Sequence, residues 1–420
     1  MKYAVVTFGC RVNQADSLEI EDALRTRGGV SAAVEDAELV VVNTCSVTAS
    51  ADQAARQTIR RVARINATAR IVVTGCYATR RPDEVAALPN VMRVVRNPDK
   101  DALIESVADA VGITTSARDG DGPCGTTLAP GVAGRTALTL RVQTGCEERC
   151  SYCIIPATRG ASRSRPVAAI LEQVEHATSA GYKEIAITGV HLGSYGRDLE
   201  SPASLLQLLT ALSRVDAPVL FRISSLEPMD CTDAVVDLVA ASPRFAPHFH
   251  LPLQHGSDAM LRAMRRPYTN TYYRRLVERI ASLMPHASIG SDIIVGFPGE
   301  SDDDFAEMQG VLGGLPLTHL HVFPYSDRPG TAAAALHPKI DGRVVRARAA
   351  GIRDVATALS RRFRQSQIGR TLRALTVDDG QSVVTGNYLK LRLDMPRSRN
   401  EWVDVRVINE RDATLAGVAV

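Results

Sequence analysis

The stretch TGCEERCSYCIIP, residues 144–156, decides the architecture of the central part of this chain. It places Cys146, Cys150 and Cys153 on one short loop, directly after a predicted strand, at offsets of four and seven residues. Three thiolates spaced in this way can hold three irons of a 4Fe-4S cube and leave the fourth iron open to an outside ligand. A structural zinc site needs four protein ligands, and no nearby Cys or His supplies the fourth. The loop therefore predicts an iron–sulfur cluster with one open iron.

The sequence that follows this loop alternates short β-branched runs with helical stretches. Six strand–helix units in series are typical of an open, partial (β/α)6 barrel, which we place at residues 136–366. The predicted strands of this barrel are 137–142, 184–188, 219–224, 248–253, 288–295 and 319–324.

Two further regions make the chain an α/β multidomain protein. Residues 1–112 alternate strands and helices and predict a small parallel α/β domain, whose first helix spans 17–25. Residues 113–135 are rich in Gly, Ser, Thr and Pro and predict a linker, in which Cys124 is an incidental thiol. Residues 367–420 alternate apolar and polar positions without helices and predict a small all-β barrel.

Composition narrows the class of protein. The 420 residues include 49 Lys and Arg against 46 Asp and Glu, so a disordered acidic tail and a histone-like polycation are both excluded. Almost all of the cations are arginines, the side chains that bind phosphate with a planar fork, so nucleic acid remains a candidate partner. The sequence shows no signal peptide and no apolar run of bilayer length, which predicts a cytoplasmic protein without a membrane partner. In that compartment cysteines serve as ligands or nucleophiles more often than as disulfides.

A second set of three cysteines is scattered in sequence. Cys10 in TFGCRVNQ, Cys45 in VVNTCSV and Cys76 in VVTGCYA each follow a predicted strand of the N-terminal domain. The carboxyl ends of parallel strands meet at one edge of a sheet, so we expect these three thiols to converge as a second metal site. Taken singly, each would be a buried small hydrophobic residue, which is how we interpret Cys231.

Together these residues resemble the methylthiotransferase family of radical S-adenosylmethionine (SAM) enzymes. The resemblance covers nearly the whole chain and includes a C-terminal barrel of the TRAM type. The strings that support it are GCEERCSYCIIPATRG, SSLEP, HLPLQHGSD, SDIIVGFPGE and FPYSDRPGT.

The resemblance implies two 4Fe-4S clusters and SAM as cofactors. In such enzymes the open iron of the CxxxCxxC cluster binds SAM, whose reductive cleavage gives a radical that abstracts hydrogen from an unactivated carbon. The second cluster, on Cys10, Cys45 and Cys76, holds the sulfur to be inserted, and a second SAM supplies the methyl group. An electron donor such as flavodoxin or ferredoxin and a sulfur donor are the implied protein partners.

The resemblance also assigns SAM-binding residues, and no catalytic side chain beyond the cluster ligands. Tyr152 resembles the residue beside the adenine, and Asp292 is a carboxylate inside an apolar strand that must meet a donor or a cation. Four further candidates stand at strand ends, where ordinary turn and cap chemistry is the alternative interpretation. They are Thr188, Gly189, Ser225 and Glu227.

Three substrates occur in the family: isopentenyladenosine in tRNA, N6-threonylcarbamoyladenosine in tRNA, and an aspartate of a ribosomal protein. The residues after Cys10 read VNQ, which resembles the threonylcarbamoyladenosine branch, in place of QMN or PKN. We therefore predict methylthiolation at C2 of that nucleoside, at position 37 of the tRNA anticodon stem-loop. Asp16, just beyond this motif, also suits a helix N-cap.

Clusters of arginine suggest where RNA would bind, although a charge run is usually a solvated face. The best candidates are Arg159, Arg163 and Arg165, which lie close to the cluster loop. The tail barrel, with Arg370, Arg373, Lys390 and Arg392, is of a type that binds RNA backbone. The other arginine groups are Arg56, Arg60, Arg61 and Arg64; Arg262, Arg265 and Arg266; and Arg361, Arg362 and Arg364. The alternative from another class is an RNA-binding protein that uses its cluster structurally or as a redox sensor.

Overall fold

The computed structural model describes residues 1–106, 130, 136–411 and 413–420. The predicted linker 113–135 lies outside the described residues except at 130, and Cys124 lies outside them too. Within the described ranges, none of the helices is long and apolar enough to cross a membrane.

The N-terminal region is a five-stranded parallel sheet in the order β2-β1-β3-β4-β5. The central strand β3 is buried along its whole length, because helices cover both faces of the sheet and build a core on each. The strands are β1 (Lys2–Thr7), β2 (Val30–Ser31), β3 (Leu39–Thr44), β4 (Arg70–Gly75) and β5 (Val91–Val95). The helices are Arg11–Thr26, Ala49–Ile65, Cys76–Arg80 and Pro82–Ala86, followed by a 3-10 helix at Asn97–Ala102.

The first helix differs from its prediction in a way that matters for the site. It begins at Arg11, directly after Cys10, and not at residue 17. Asp16 therefore lies inside the helix, and its predicted role as an N-cap is wrong. The polar residues of the VNQ motif hid the first turns of this helix, because Asn13 and Asp16 are buried by ion pairs and hydrogen bonds and not by apolar packing.

The central region confirms the predicted partial barrel. Its six parallel strands form two sheets, ordered β10-β9-β6 and β11-β12-β13, and a parallel bridge joins Phe221 to Phe245 between them. Alternate residues face the surrounding helices in one large apolar core, and the others face the barrel interior. The strands are β6 (Leu138–Arg141), β9 (Glu184–Thr188), β10 (Leu220–Ile223), β11 (His248–His250), β12 (Ser288–Val295) and β13 (His319–Pro324). The helices are Ile155–Arg159, Val167–Ser179, Leu205–Ser213, Asp233–Ala241, Asp258–Ala263, Asn270–Leu283, Asp302–Gly314 and Gly342–Gln367, and the short hairpin strands are β7 (Gln143–Thr144) and β8 (Arg163–Ser164).

The C-terminal region is a closed five-stranded barrel, as predicted. It is fastened to the interior of the central barrel by Arg222, whose guanidinium pairs with Glu184 at 2.8 Å and donates to the carbonyl oxygens of Thr385 and Gly386. Tyr388, just beyond these carbonyls, packs its ring 5.0 Å from that of His248. The strands are β14 (Thr371–Val377), β15 (Ser382–Thr385), β16 (Lys390–Leu393), β17 (Trp402–Arg411) and β18 (Thr414–Ala419).

Candidate active site

The loop that carries Cys146, Cys150 and Cys153 is a compact turn at the opening of the central barrel. Its entry depends on Gly145, where φ is +78° and an added Cβ would lie 1.8 Å from the carbonyl oxygen of Ala161. Burial, together with the neighbouring Cys150 and Cys146, raises the pKa of Cys153 to about 12. The three thiols are therefore close enough to feel one another's charge, as ligands of one metal centre must be.

Nitrogen donors surround these thiols. Arg266 Nη1 lies 3.1 Å from Cys150 Sγ, and the same guanidinium is ion-paired with Glu227. Burial alone lowers the pKa of His191, but hydrogen bonds to Asp230 and Cys146 raise it to about 10. Arg266 is almost fully buried in these contacts, so its predicted place on an RNA track is wrong.

Gln143 ties the end of β9 to this loop. Its Nε2 donates to the carbonyl oxygens of Thr144 and Gly145, each at 2.8 Å. Its Oε1 accepts hydrogen bonds from the backbone N–H groups of Val190 and His191, each at 2.9 Å. Gln143 was not among the residues predicted from the sequence, and the signal that could have found it is a lone amide directly before the cysteine loop.

The six predicted SAM contacts lie in four different places. Tyr152 is half-buried on the cluster loop, and with Glu227 it surrounds the guanidinium of Arg266. Thr188 and Gly189 end β9, with the Gly189 Cα close enough to Gln143 that an added Cβ would lie 3.0 Å from its Oε1. Ser225 is exposed beyond the end of β10, whereas Asp292 lies apart from the loop, in a histidine-rich layer of the barrel interior.

The structure brings Cys10, Cys45 and Cys76 together at the carboxyl edge of the N-terminal sheet. Gly9 has φ +92°, and an added Cβ there would lie 2.8 Å from Cys45 Sγ. Burial raises the pKa of Cys45 to about 11, and Cys76 and Cys10 add to the effect. Asn97 Nδ2 approaches Cys76 Sγ at 3.6 Å and also donates to the carbonyl oxygen of Thr158 in the central region.

A buried ion network joins the two thiol sites. Arg159 donates from Nη1 to Thr144 Oγ1 at 3.2 Å and from Nη2 to Asp16 Oδ2 at 3.1 Å, and it also bonds Asn13. Asp16 pairs further with Lys100 at 2.8 Å and with Arg141 at 3.2 Å. Burial opposes ionisation, yet these three cations lower the pKa of Asp16 to about 2.

This network corrects the predicted RNA-binding arginines. Arg159 is buried between the two regions, and Arg165 pairs with Glu19 of the first helix at 2.6 Å. Neither side chain is free for phosphate. Of the three arginines predicted beside the cluster loop, Arg163 alone is exposed.

A second buried network lies beside Cys45. Arg328, from the FPYSDRPGT string, donates to the carbonyl oxygen of Ser46 and to Asp52 Oδ2, both at 2.7 Å. Arg80 pairs with the same carboxylate and donates to Ser46 Oγ at 2.9 Å. The loop after β13 is thus locked to the residue that follows the second predicted ligand of the N-terminal site.

The inner face of the second barrel sheet carries four imidazoles around one carboxylate. We call this group the histidine wall. Asp292 Oδ1 accepts hydrogen bonds from His250 Nε2 at 2.9 Å and His321 Nδ1 at 3.1 Å. The three ligand atoms lie within 4.8 Å of one another, as a divalent cation would require, but the carboxylate is already satisfied by the two imidazoles. The histidine wall consists of His248, His250, Asp292, His319 and His321.

Both three-thiol sites fit an iron–sulfur cluster. In each, three thiols converge beside a glycine that leaves no room for a Cβ, and an N–H donor approaches one of the sulfurs. Hydrogen bonds to sulfur and burial are the means by which proteins tune such clusters. Burial raises the pKa values of Cys45, Cys150 and Cys153, and bound iron would supply the positive charge that makes them thiolates. Cys231, the other described cysteine, is buried in the apolar core of the barrel and belongs to neither site.

A parallel half-barrel with a CxxxCxxC loop at its opening defines a radical SAM enzyme. The model of the radical SAM superfamily matches residues 140–311 of the chain. The model of the uncharacterized protein family UPF0004 matches residues 2–96, which contain the second thiol site.

The chain belongs to the radical SAM methylthiotransferase family, which confirms the resemblance. It is 35% identical to a threonylcarbamoyladenosine tRNA methylthiotransferase of Aquifex aeolicus, over 93% of this chain and 96% of that one. It is 33% identical to a tRNA-2-methylthio-N(6)-dimethylallyladenosine synthase of Parafrankia, over 90% of this chain and 78% of that one. The fold is similar to the radical SAM methyltransferase TsrM of Kitasatospora setae, at a TM-score of 0.57 and 17% identity over 79% of this chain and 73% of that one.

Proposed function

We propose that this enzyme adds a methylthio group to C2 of N6-threonylcarbamoyladenosine at position 37 of tRNA. One observation supports this type of reaction. Arg159 bonds Thr144, next to the cluster loop, and it also bonds Asn13 and Asp16 in the helix that follows Cys10. The two thiol sites are therefore fixed relative to each other. A reaction that generates a radical at one site and delivers sulfur from another needs this fixed geometry.

The proposed cofactors are two 4Fe-4S clusters and SAM. When bound, the cluster on Cys146, Cys150 and Cys153 would supply the electron that cleaves SAM, and the other cluster would supply sulfur. Tyr152 and Glu227 are the best placed of the proposed SAM-binding residues, because both adjoin the Arg266 guanidinium beside Cys150. For Thr188, Gly189 and Ser225, the proposed role in SAM binding is supported only by their positions at strand ends. Asp292 lies apart from the cluster loop, and we assign it a different role.

The choice of substrate is supported by two independent features. The Aquifex relative named for threonylcarbamoyladenosine covers nearly the whole chain. The VNQ motif is part of the site itself, since Asn13 donates to the carbonyl oxygens of Phe8, two residues before Cys10, and of Thr44, directly before Cys45.

The proposed partners follow from this chemistry. The substrate is the anticodon stem-loop of tRNA, and the reaction needs a flavodoxin- or ferredoxin-like reductant and a sulfur donor. For the architecture we propose an N-terminal domain at 1–112, a linker at 113–135, a barrel at 136–366 and a TRAM-like barrel at 367–420. The exposed Arg370 and Arg392 of the last domain are available to contact RNA backbone.

The test is nucleoside profiling of tRNA from a strain that lacks the modification and expresses this chain. We expect a nucleoside heavier than threonylcarbamoyladenosine by one methylthio group in place of one hydrogen. The second candidate substrate is isopentenyladenosine, which the Parafrankia relative favours. Appearance of the methylthiolated isopentenyl nucleoside instead would refute the proposed substrate and leave the reaction type standing.

A further inference from the structure

The histidine wall leaves one nitrogen without a partner. His321 uses Nδ1 to donate to Asp292, and within the described part of the chain its Nε2 has no hydrogen-bond partner. The side chain of His321 is 57% exposed, whereas that of Asp292 is 25% exposed. When this ring is protonated, Asp292 holds its Nδ1–H, and its Nε2–H is an oriented donor toward open space.

The carboxylate of Asp292 favours the protonated form of His321. The hydrogen bond with Asp292 raises the pKa of His321. Burial, with help from His250 and His321, lowers the pKa of His319 to about 4, and burial lowers that of His248 as well. Glu184 neutralises Arg222, the nearest buried guanidinium behind His248.

Close packing fixes the positions of the imidazole rings in the histidine wall. Gly290 on β12 faces His319, and an added Cβ at Gly290 would lie 2.0 Å from His319 Nε2. The rings of His248 and His319 stack at 6.3 Å with an interplanar angle of 16°. Each histidine therefore has a defined position, and His321 is the one that faces open space.

Neighbours of the histidine wall contact residues of both thiol sites. Asp292, its partner on the neighbouring strand, is two residues before Ile294, a distance of about 7 Å along a strand. Ile294 packs in the apolar cluster that contains Tyr152 of the cluster loop. On the other side Arg11, next to Cys10, donates to the hydroxyl of Tyr388, whose ring contacts His248.

We propose that His321 binds the free carboxylate of the threonylcarbamoyl group on the substrate adenosine, with Asp292 as its positioning residue. This inference rests on the proposed function and names the group that selects its substrate. The threonyl substituent ends in a carboxylate, which accepts a charge-assisted N–H hydrogen bond. An isopentenyl substituent offers no acceptor and would leave the donor unpaired, which a site built for hydrogen bonding rejects strongly.

The decisive experiment compares two synthetic anticodon stem-loops with the reconstituted holoenzyme. One carries N6-threonylcarbamoyladenosine, and the other carries the same group with its carboxylate converted to a methyl amide. We expect kcat/KM of the wild-type enzyme to be about 10-fold or more lower on the amide, because the ionic hydrogen bond is lost. In the His321→Gln variant the ratio between the two RNAs should approach one, whereas the His319→Gln control should keep the wild-type ratio.

Asp292→Asn tests the positioning role. It should raise KM for the carboxylate RNA and leave KM for the amide RNA unchanged, a split that a general loss of structure would not produce. Equal wild-type activity on both RNAs overturns the inference without any variant and leaves the proposed function intact. An unchanged preference in His321→Gln also overturns it. Inactivity of the wild-type enzyme on both RNAs refutes the proposed function, and the inference with it.

Discussion

Arg159 and Asp16 form a buried ion pair, 3.1 Å between Nη2 and Oδ2, across the contact between the N-terminal sheet and the central barrel. The pair is separated by 143 residues in sequence. The same Asp16 binds Lys100 of its own region and Arg141 of the barrel. One carboxylate therefore holds three cations from both sides of the contact, and the relative position of the two thiol sites depends on it.

Removal of Arg159 should both destabilise the chain and uncouple its two sites. In Arg159→Met the carboxylate of Asp16 keeps Lys100 and Arg141, but Asn13 and Asp16 lose a buried partner. We expect a loss of about 3 kcal/mol in the free energy of unfolding, as for one partner of a buried pair. Thermal or urea unfolding of the apoprotein measures it, with the exposed Arg163→Met as the matched control. An equal effect of the two substitutions would contradict the network described here.

Substitutions at the two thiol sites should abolish different steps of the reaction. Cys150→Ala should abolish SAM cleavage, because it removes one of the three proposed ligands of the open cluster. Cys45→Ala should still release 5′-deoxyadenosine under dithionite while giving no methylthio product. Anaerobic assays with SAM and tRNA measure both products. Loss of both activities in Cys45→Ala would show that this residue supports the fold and not sulfur transfer.

Gly145 and Gly160 offer a comparison within one loop. Both have positive φ, +78° and +72°, but an added Cβ at Gly145 collides with the backbone of Ala161, whereas one at Gly160 meets nothing within 4 Å. Gly160→Ala should cost about 1–3 kcal/mol, because ψ is −162° and this backbone region is essentially restricted to glycine. Gly145→Ala must displace the loop and should reduce the iron bound after reconstitution. Equal iron content in the two variants would count against the described turn.

Asp22 predicts a pH-dependent stability. Burial raises its pKa to about 6, Arg25 opposes this, and one carboxylate oxygen has no partner within the described residues. A raised carboxyl pKa means that the native state favours the protonated form, so stability falls as pH rises from about 4 through about 6.

The Asp22→Asn substitution should remove this loss of stability at high pH. We expect its melting temperature to exceed that of wild type by about 2 °C at pH 8 and by much less at pH 4. Scanning calorimetry of both proteins at the two pH values measures the difference, and the exposed Asp36→Asn serves as the control. A gain that is the same at both pH values would show that the ionised carboxylate is not its cause.

The sequence predicted several strands and helices of the barrel closely, because their apolar periodicity is local. Val167–Ser179, Glu184–Thr188 and Ser288–Val295 have the predicted bounds. The start of the first helix was wrong because its buried face is polar: Asn13 and Asp16 reach partners 31 to 146 residues away. No local pattern reveals such partners.

The same limit applies to the site. The spacing of Cys146, Cys150 and Cys153 was enough to predict one metal site. The roles of Gln143, His191 and Arg266 beside it depend on contacts that only the folded chain makes. The RNA-binding arginines were misassigned for the opposite reason. Arg159 and Arg165 look like a charged surface in sequence, but the N-terminal region covers both.

The buried ion pair of Arg222 limits what a deletion of the C-terminal barrel can show. Its guanidinium is fully buried between Glu184 and two backbone carbonyls of the C-terminal barrel, so removal of residues 367–420 would expose an ion pair that now never meets solvent. A shortened chain would therefore be perturbed in the middle of its catalytic barrel and not merely deprived of an accessory module. Loss of activity after such a deletion cannot be interpreted as weaker RNA capture alone.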